Sequence, residues 1–531
     1  MAVAAFAVPV AEPAPSEALA DLRCKKVRAV LEGIAKRDAV PLCHTLNTTL
    51  RDVVQYPISA RPTCWSLQQS SLPPPLCIAQ PTTTDEVSTL VKITTNHTCP
   101  FALLGGGHSP EANTSSAPNS ILLSTSHLTH ISTDDDFRTL TIGAAYRWND
   151  LYALLEDVGV SVVGTRNGQS GVVGSILGGG LSYHTMRYGM ACDNVEAFEV
   201  VVPNGTVVWV EQGEVFRALK GGGTGLGVVT SVKVRTVRAG PVWDVRRVWV
   251  NGERDGAFEE QARMTADPPD ELAMANLVLL FRSGSTDFEI SQRMVYYSQS
   301  VGDDSSECAP RTPEIAQDES IRPANVSATC TNISTLARKM DNGHPNDHYN
   351  LFGTLTILNS ASMMHRITEL FCDLIIAMDD TIDIEKLFAA IVFNPISKSA
   401  MDAMRSNGYN ALGIVEEGEE TAPLTIVNFT FRWKDPSSTY EVEELMRRLL
   451  AESTELAKEE GLWHPYVFKN HAFREQGVSA GRGRENMLRL KALSEELDES
   501  GKWMALQNGW VKPDFAKKLS IEGDKVVHTE L

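Results

Sequence analysis

Several features that would place this chain in a particular class of protein are missing from its 531 residues. It has no run of basic residues and a formal net charge of −19, which argues against an electrostatic nucleic-acid binder. No apolar stretch approaches the roughly 20 residues that span a bilayer. No C-x-x-C pair occurs among the nine cysteines, so the sequence indicates no metal site. We therefore expect a globular protein without nucleic-acid or membrane partners.

The N-terminus also lacks the basic residues of a typical signal peptide. Residues 1–20 are mostly Ala, Val and Pro and end in Ala18-Leu19-Ala20, which has the form of a signal-peptidase site. No Lys or Arg precedes the apolar part, so this is a weak leader. Seven Asn-x-Ser/Thr sequons favour the secretory route more strongly. They begin at Asn47, Asn96, Asn113, Asn204, Asn325, Asn332 and Asn428.

The cysteine content also fits a protein of the secretory route, because disulfides form and persist in that oxidising environment. Cys43, Cys64, Cys77 and Cys99 crowd the N-terminal region, and we predict disulfides there rather than a zinc site. Cys308 and Cys330 flank an acidic, polar loop that a disulfide would close. The odd total leaves at least one thiol unpaired unless it pairs outside the chain.

The chain is long enough for two domains. A helix is predicted near Lys26–Ala35, and an alternating α/β pattern begins at Leu72. Thr83 to Glu86 has the form of a capping box that begins a helix, and Asn204-Gly205 predicts a hairpin.

Beyond about residue 240, long alternating strands predict an α+β domain with one antiparallel sheet, covered by helices on one face. The strands are Leu272–Phe281, Phe288–Tyr297, Leu351–Leu358 and Leu424–Trp433, and the helices lie near Met363–Met378 and Tyr440–Glu460. A further helix, Arg484–Glu496, is predicted in the C-terminal segment that follows. The other face of the sheet is left to close a pocket.

Two glycine-rich segments stand out. The first glycine loop is Gly105-Gly106-Gly107-His108-Ser109, and the second runs from Gly171 to Gly180. Glycine permits sharp turns and close approach of the backbone to a ligand, and successive N–H groups form nests that bind pyrophosphate. Either loop alone is more typical of a tight turn. The two together favour a nucleotide cofactor.

The first glycine loop resembles the Arg-Ser-Gly-Gly-His-Ser loop of FAD-linked oxidases of the berberine-bridge-enzyme type, in the vanillyl-alcohol-oxidase (PCMH-type) superfamily. Further motifs follow in that family's order. They are Tyr146–Tyr152, Gly164–Gly180, Tyr188–Val195, Leu219–Thr230 and, more sparsely, residues 464–512.

The resemblance implies an α+β, bilobed protein: a PCMH-type FAD-binding domain of two α/β subdomains and an antiparallel-sheet substrate domain. The segments would be a leader at 1–20, an N-terminal part of the FAD domain at 21–71, the FAD-binding domain at 72–240, the substrate domain at 241–460, and a return to the FAD domain at 461–531.

The resemblance also implies a set of cofactor-binding residues. His108 would bond covalently to the flavin, although a histidine that merely caps the loop is the alternative. Backbone N–H groups of the two glycine loops would bind the pyrophosphate, and Val228 and Val229 would lie near the adenine. The full set is Gly105, Gly106, Gly107, His108, Ser109, Arg166, Gly171, Val172, Gly174, Ser175, Gly178, Gly179, Asp193, Val228, Val229 and Asn470.

The chain departs from the family pattern at four positions. Leu104 replaces an arginine before the first loop, and Asn167 stands where doubly linked members have a cysteine, so no cysteinyl link to FAD is expected. Arg482 and Gly225 replace a tyrosine and an asparagine of the family. These changes put polar contacts to the flavin in doubt.

The implied activity is an oxidase that takes hydride from a small hydroxylated or polyketide-like metabolite and passes electrons to O2, giving H2O2. Tyr466 and Tyr183 are candidate bases, or else packed aromatics. Asn428, Thr430 and Arg432 share one strand face that points at the pocket or, as the Asn428 sequon favours, at solvent. An oligosaccharide oxidase and a non-redox flavin scaffold remain alternatives, and the sequence leaves the oligomeric state open.

Overall fold

The computed structural model describes most of the chain. The residues described are 41–56, 62, 64–97, 99–238, 240–249, 254–270, 272–281, 288–297, 308, 323–378, 386–415, 422–509, 518–522 and 525–529. The predicted leader and the predicted helix near Lys26–Ala35 lie outside these residues.

A small sheet presents the first glycine loop. Its strands are β1 (Val54–Gln55), β2 (Cys77–Ala79), β3 (Phe101–Leu104) and β4 (Ile121–Ser124), in the order β1-β2-β4-β3. β2, β4 and β3 run parallel, as the helix Thr84–Asn96 between β2 and β3 allows. The predicted capping box is confirmed, because Thr83 accepts a bond from the Glu86 N–H and Glu86 bonds back. β3 runs directly into Gly105.

A six-stranded antiparallel sheet lies beside it. It contains β5 (Ile131–Thr133), β6 (Thr139–Gly143), β7 (Val160–Val162), β8 (Val195–Val201), β9 (Val207–Val210) and β10 (Val228–Arg238). The order is β5-β6-β10-β8-β9, and β7 pairs with β10. The predicted hairpin through Asn204-Gly205 is confirmed, with Gly205 at φ +82°. Helices Trp148–Glu156, Val172–Ile176, Thr185–Tyr188 and Gly213–Leu219 complete this region.

An eight-stranded antiparallel sheet confirms the architecture predicted for the second half of the chain. Its strands are β11 (Val242–Trp249), β12 (Leu272–Phe281), β13 (Phe288–Tyr297), β14 (Asn325–Thr331), β15 (Tyr349–Leu358), β16 (Phe388–Ile396), β17 (Leu424–Trp433) and β18 (Trp463–His464). They are ordered β14-β11-β13-β12-β16-β17-β15-β18. Helices Arg254–Ala266, Ala361–Ile376 and Thr439–Glu459 cover one face, with Phe429 and Phe431 of β17 in the core between.

The opposite face of this sheet turns towards the first half of the chain. Since side chains alternate along a strand, Leu424, Ile426 and Asn428 lie on this second face. Leu424 and Ile426 pack in one cluster with Val172 and Ile176, which belong to the second glycine loop. The remaining helices are Leu67–Ser70, Ile333–Asn342, Lys398–Ser406, Arg484–Leu497 and Lys502–Leu506.

The C-terminal segment returns to the first half of the chain. The ring of Trp503 packs 4.6 Å from that of Phe101, and the Asn508 N–H donates to the Phe101 carbonyl at 2.7 Å. Buried Arg482 donates to the Gly221 carbonyl at 2.7 Å. Among the described residues, no helix combines the length and apolar character needed to span a bilayer.

Two disulfides occur in the described structure. Cys308–Cys330 is confirmed as predicted, and Cys43–Cys77 ties the helical residues 41–49 to β2. Cys64 is a buried thiol, so the expectation of disulfides in the N-terminal region is confirmed for Cys43 and Cys77 and does not hold for Cys64.

Candidate functional site

The two glycine loops touch backbone to backbone. A β-carbon added to Gly106 would lie 2.3 Å from the Gly171 nitrogen, and one added to Gly171 would lie 2.5 Å from the Gly106 nitrogen. Both distances are far inside van der Waals contact, so any side chain at either position would force the loops apart. The close approach explains why glycine occurs at both.

Other glycines of the same loops face open space. Gly105 and Gly174 are exposed. An added β-carbon would meet no atom within 4 Å at Gly174, and only the Thr125 hydroxyl, at 4.0 Å, at Gly105. The joined loops therefore expose a bare stretch of backbone on one side. Such a surface fits a pyrophosphate, because phosphate oxygens approach main-chain N–H groups closely.

Several residues predicted to bind the cofactor have backbone N–H groups that donate to carbonyls within the protein. The Val172 N–H donates to the Tyr146 carbonyl at 3.1 Å, and the Ser175 N–H to Gly171 at 3.2 Å. The Gly178 and Gly179 N–H groups bond to the carbonyls of Ser175 and Ile176. These four backbone groups shape the second loop, and the assignment of Ser175 to the pyrophosphate stays a prediction.

Asn470 holds the second loop from the far end of the chain. Its Oδ1 accepts a bond from the Gly180 N–H at 3.0 Å, and its Nδ2 donates to the Ser175 carbonyl at 3.2 Å. Gly178 leaves room for it, since an added β-carbon would lie 2.2 Å from Asn470 Nδ2. Asn470 thus fixes the second loop by two side-chain hydrogen bonds, which we call the Asn470 clasp.

Asp193 and the two valines are buried beside this region. Asp193 accepts bonds from the Met190 N–H and from Asn410 Nδ2, each at 2.7 Å. Burial raises the pKa of its carboxyl, and Lys220 opposes the rise. Val228 and Val229 begin β10, where Val228 packs in the core of the first sheet and Val229 in that of the second. Their assignment to the cofactor stays a prediction.

His108 stands where the first loop meets the N-terminal segment. Its ring stacks on Trp65, with the ring centroids 4.2 Å apart and the planes inclined by 9°. Burial lowers the pKa of His108 to about 3, and His344 and Arg147 add to the effect. The imidazole is therefore neutral at physiological pH, so a ring nitrogen keeps the lone pair that nucleophilic attack requires.

Two further histidines join His108 in what we call the histidine cluster: His108, His344 and His471. The His344 carbonyl accepts a bond from Trp65 Nε1 at 3.1 Å. Burial lowers the pKa of His471 to about 3, with further effects from Arg166, His344 and His108. His471 Nδ1 is enclosed without a partner in the described structure.

The second face of the eight-stranded sheet supplies a polar wall, formed by Phe352, Thr354, Asn428 and Thr430. Thr354 and Phe352 of β15 lie opposite Asn428 and Thr430 of β17. Asn428 Nδ2 donates to the Thr430 hydroxyl at 2.8 Å, while Asn428 Oδ1 is buried without a partner among the described residues. The His471 ring lies 4.7 Å from that of Phe352, which joins the wall to the histidine cluster.

The wall corrects one expectation. Asn428 is only 4% exposed in the middle of a strand, so the sequon there cannot receive a glycan in the folded chain and the solvent-facing alternative is wrong. Asn204, at the hairpin turn, and Asn325 are exposed.

Comparisons with known proteins agree with this geometry. Residues 75–211 match the family described as FAD binding domain. The chain is 29% identical over 455 residues to the FAD-dependent monooxygenase tpcD of Cochliobolus heterostrophus, covering 84% of this chain and 86% of that protein. Berberine bridge enzyme from Eschscholzia californica superposes with a TM-score of 0.65 at 16% identity, covering 87% of this chain and 97% of the other.

A third similarity concerns an enzyme whose FAD carries both a cysteinyl and a histidyl link. This is the glucooligosaccharide oxidase of Acremonium strictum, which superposes with a TM-score of 0.64 at 18% identity and covers 82% of this chain and 92% of the other. This chain is an FAD-linked oxidoreductase. Its fold is the one predicted, that of the berberine-bridge-enzyme group.

In this oxidoreductase the two predicted bases occupy enclosed positions. The Tyr183 hydroxyl donates to the Leu336 carbonyl at 3.3 Å, and burial raises its pKa. The Tyr466 hydroxyl has no partner among the described residues, and burial raises its pKa as well, with Cys192 adding to the rise. Arg166 acts on both Tyr183 and His471, lowering the pKa of each. The catalytic assignment of both tyrosines stays a prediction.

Sequence reasoning missed most of the side chains around His108. Trp65 lies in a segment interpreted only as loop-rich, and His344 and Phe352 lie in the middle of the chain, where the family resemblance is nearly absent. His471 follows Asn470 directly, and this adjacency was the one available signal. Of the family departures, Arg482 of this oxidoreductase is buried and donates to the carbonyls of Gly221 and Ala411.

Proposed function

We propose that this protein is an FAD-linked oxidase of a small hydroxylated or polyketide-like metabolite, with O2 as electron acceptor and H2O2 as product. One observation supports this most directly. The predicted attachment residue His108 stacks on Trp65, and Trp65 stacks in turn on Phe352 of the polar wall, which contacts His471. A cofactor held by the loops would thus meet a substrate held by the wall.

The residues present fit FAD. Gly105 and Gly174 leave an open backbone surface for the pyrophosphate, and His108 is a neutral nucleophile held by its stack on Trp65. We propose that His108 forms the only covalent link, since Asn167 offers no thiol. When bound, FAD supplies the two-electron chemistry, accepting hydride from a substrate C–H and passing the electrons to O2.

The chain's own residues would orient the substrate and hold its proton. Thr430 and Asn428 offer a hydroxyl and an unpaired amide oxygen in a place from which bulk water is excluded. His471 is neutral, so its imidazole can accept the proton of a substrate hydroxyl while the adjacent C–H is oxidised. The short turn Lys469–His471 is anchored twice: the N–H of Phe468, just before it, donates to the Thr354 hydroxyl, and Asn470 within it accepts a bond from the Gly180 N–H.

The enclosure of the wall favours a compact substrate over an oligosaccharide. Asn428 and Thr430 are 4% and 7% exposed, whereas an oligosaccharide requires an open groove along which several sugar rings lie. The related proteins named monooxygenases make oxygen insertion the competing reaction for the same site.

The test begins with acid precipitation of the purified protein. Yellow colour that stays in the pellet, and that His108→Ala releases to the supernatant, is the expected result. Small phenolic and alcohol substrates are then screened for O2 uptake with equimolar H2O2. Labelled oxygen incorporated into the product would identify a monooxygenase instead. Bound flavin that no substrate reduces would support the non-redox scaffold.

A further inference from the structure

Two arginines at the site lack a carboxylate partner among the described residues. Arg166 makes one side-chain contact, to the Met274 sulfur at 3.9 Å. Arg432 Nη1 donates to the Gly343 carbonyl at 2.6 Å, and its guanidinium lies 4.3 Å from the centre of the Phe388 ring. Arg293, by contrast, forms a bidentate pair with Asp244. Burial of an uncompensated cation is costly, so both arginines call for an anion.

Both cations act on the histidine cluster. Burial lowers the pKa of His344, and Arg432 and Arg166 lower it further, while Asp341 acts in the opposite direction. Asp341 already accepts bonds from Asn149 Nδ2 and from the Gln169 N–H. Two cations and one hydrogen-bonded carboxylate thus act on His344.

Arg432 lies on the strand face that carries the polar wall. It belongs to β17 and lies opposite Asn350 of β15 and Phe388 of β16, on the same strand face as Asn428 and Thr430. It is half-buried at the edge of the wall. The charge of Arg432 therefore lies on the sheet face assigned to the substrate, whereas Arg166 precedes the second glycine loop in the sequence.

We propose that the substrate carries an acidic oxygen group, a carboxylate or phenolate, which Arg432 binds at the edge of the polar wall with Arg166 adding long-range attraction. This proposal deepens the proposed function and rests on it. The negative charge of such a group would also favour protonation of His471. An acidic substrate would thus strengthen the group that takes its hydroxyl proton.

The experiment compares salicylate with salicylamide, which have nearly the same shape and differ in charge. Each is titrated into the flavin-loaded protein, and binding is read from the shift in flavin absorbance without any turnover. We expect salicylate to bind about tenfold more tightly, the ratio typical of one charge-assisted hydrogen bond. Added salt should weaken salicylate alone.

Substitutions of Arg432 test whether its guanidinium binds the carboxylate of salicylate. Arg432→Gln should remove the preference for salicylate and leave salicylamide binding unchanged. Arg432→Lys keeps the positive charge and should therefore keep most of the preference for salicylate. Arg448→Gln, on an exposed helix where Arg448 pairs with Glu452, is the control and should change nothing. Equal binding of both probes, binding of neither, or equal loss of both in Arg432→Gln overturns the proposal. Failure of the proposed function has a separate signature, namely probe binding without peroxide release by any substrate.

Discussion

The contact between the two glycine loops predicts a specific response to one added methyl group. In Gly106→Ala the new β-carbon would lie 2.3 Å from the Gly171 nitrogen and 2.6 Å from its Cα. Both are backbone atoms that no rotamer change can move, so the loops must separate. Overpacking of this kind costs about 1–3 kcal/mol. The flavin-free protein should lose about this much stability, and FAD should bind more weakly because the separated loops no longer present one surface to the pyrophosphate.

Gly174→Ala is the matched control within the same pair of loops. Its added β-carbon has no protein atom within 4 Å, and position 174 lies inside the short helix Val172–Ile176, where alanine is favoured over glycine. The stability of the flavin-free protein should therefore be unchanged or slightly higher. Flavin content should nevertheless fall, because the methyl group occupies the open surface assigned to the pyrophosphate.

The assay measures two quantities on each variant: the thermal unfolding midpoint of flavin-free protein, and the ratio of flavin to protein absorbance after expression with excess riboflavin. Gly106→Ala should lower both, and Gly174→Ala only the second. Wild-type stability in Gly106→Ala would refute the inferred contact, and full flavin content in Gly174→Ala would refute the location of the pyrophosphate.

Three further predictions concern pH, crosslinking and glycosylation. Burial raises the pKa of Glu111 from 4.5 to about 7, with Arg474 opposing the rise, so the folded state holds this proton more tightly than the unfolded state. Stability should therefore fall as pH rises from about 4.5 to 7, by up to about 3 kcal/mol, and Glu111→Gln should flatten the dependence in chemical denaturation measured across that range. Cys43→Ser opens a disulfide with a sequence separation of 34 residues and should cost about 2–4 kcal/mol, and reductant should have no further effect at that site. If the chain is glycosylated, Asn204→Gln should remove mass from the secreted protein and Asn428→Gln should not; a mass loss in the latter would contradict the burial of Asn428.

Local signals in the sequence predicted local structure well. The capping box at Thr83 and the Asn204-Gly205 turn depend on residues within a few positions of each other, and both form as predicted. Three long strands of the eight-stranded sheet have the predicted bounds, because each is a run of about ten residues rich in apolar and β-branched side chains. The glycine loops were recognised from motif order, which is also local information.

The candidate site was predicted only in part, because most of it is assembled over long separations. His108 was identified from its own loop, yet its neighbours Trp65, His344 and His471 come from three segments with no shared motif. The sequon at Asn428 specifies a chemical pattern and carries no information on exposure, so burial there could only be seen in the folded chain. Likewise, spacing did not show that Cys77 pairs with Cys43 while Cys64 is a buried thiol.

The clasp formed by Asn470 has a consequence for biosynthesis. Gly180 and Asn470 are 290 residues apart in sequence, and ribosomes add about 5–20 residues per second, so the loop would wait about 15–60 s for its partner to be made. During that interval the second loop lacks the side chain that fixes its Ser175 and Gly180 ends. Cofactor loading is therefore expected to follow release of the finished chain. A premature stop shortly before Asn470 would yield a protein with both glycine loops and no stable flavin.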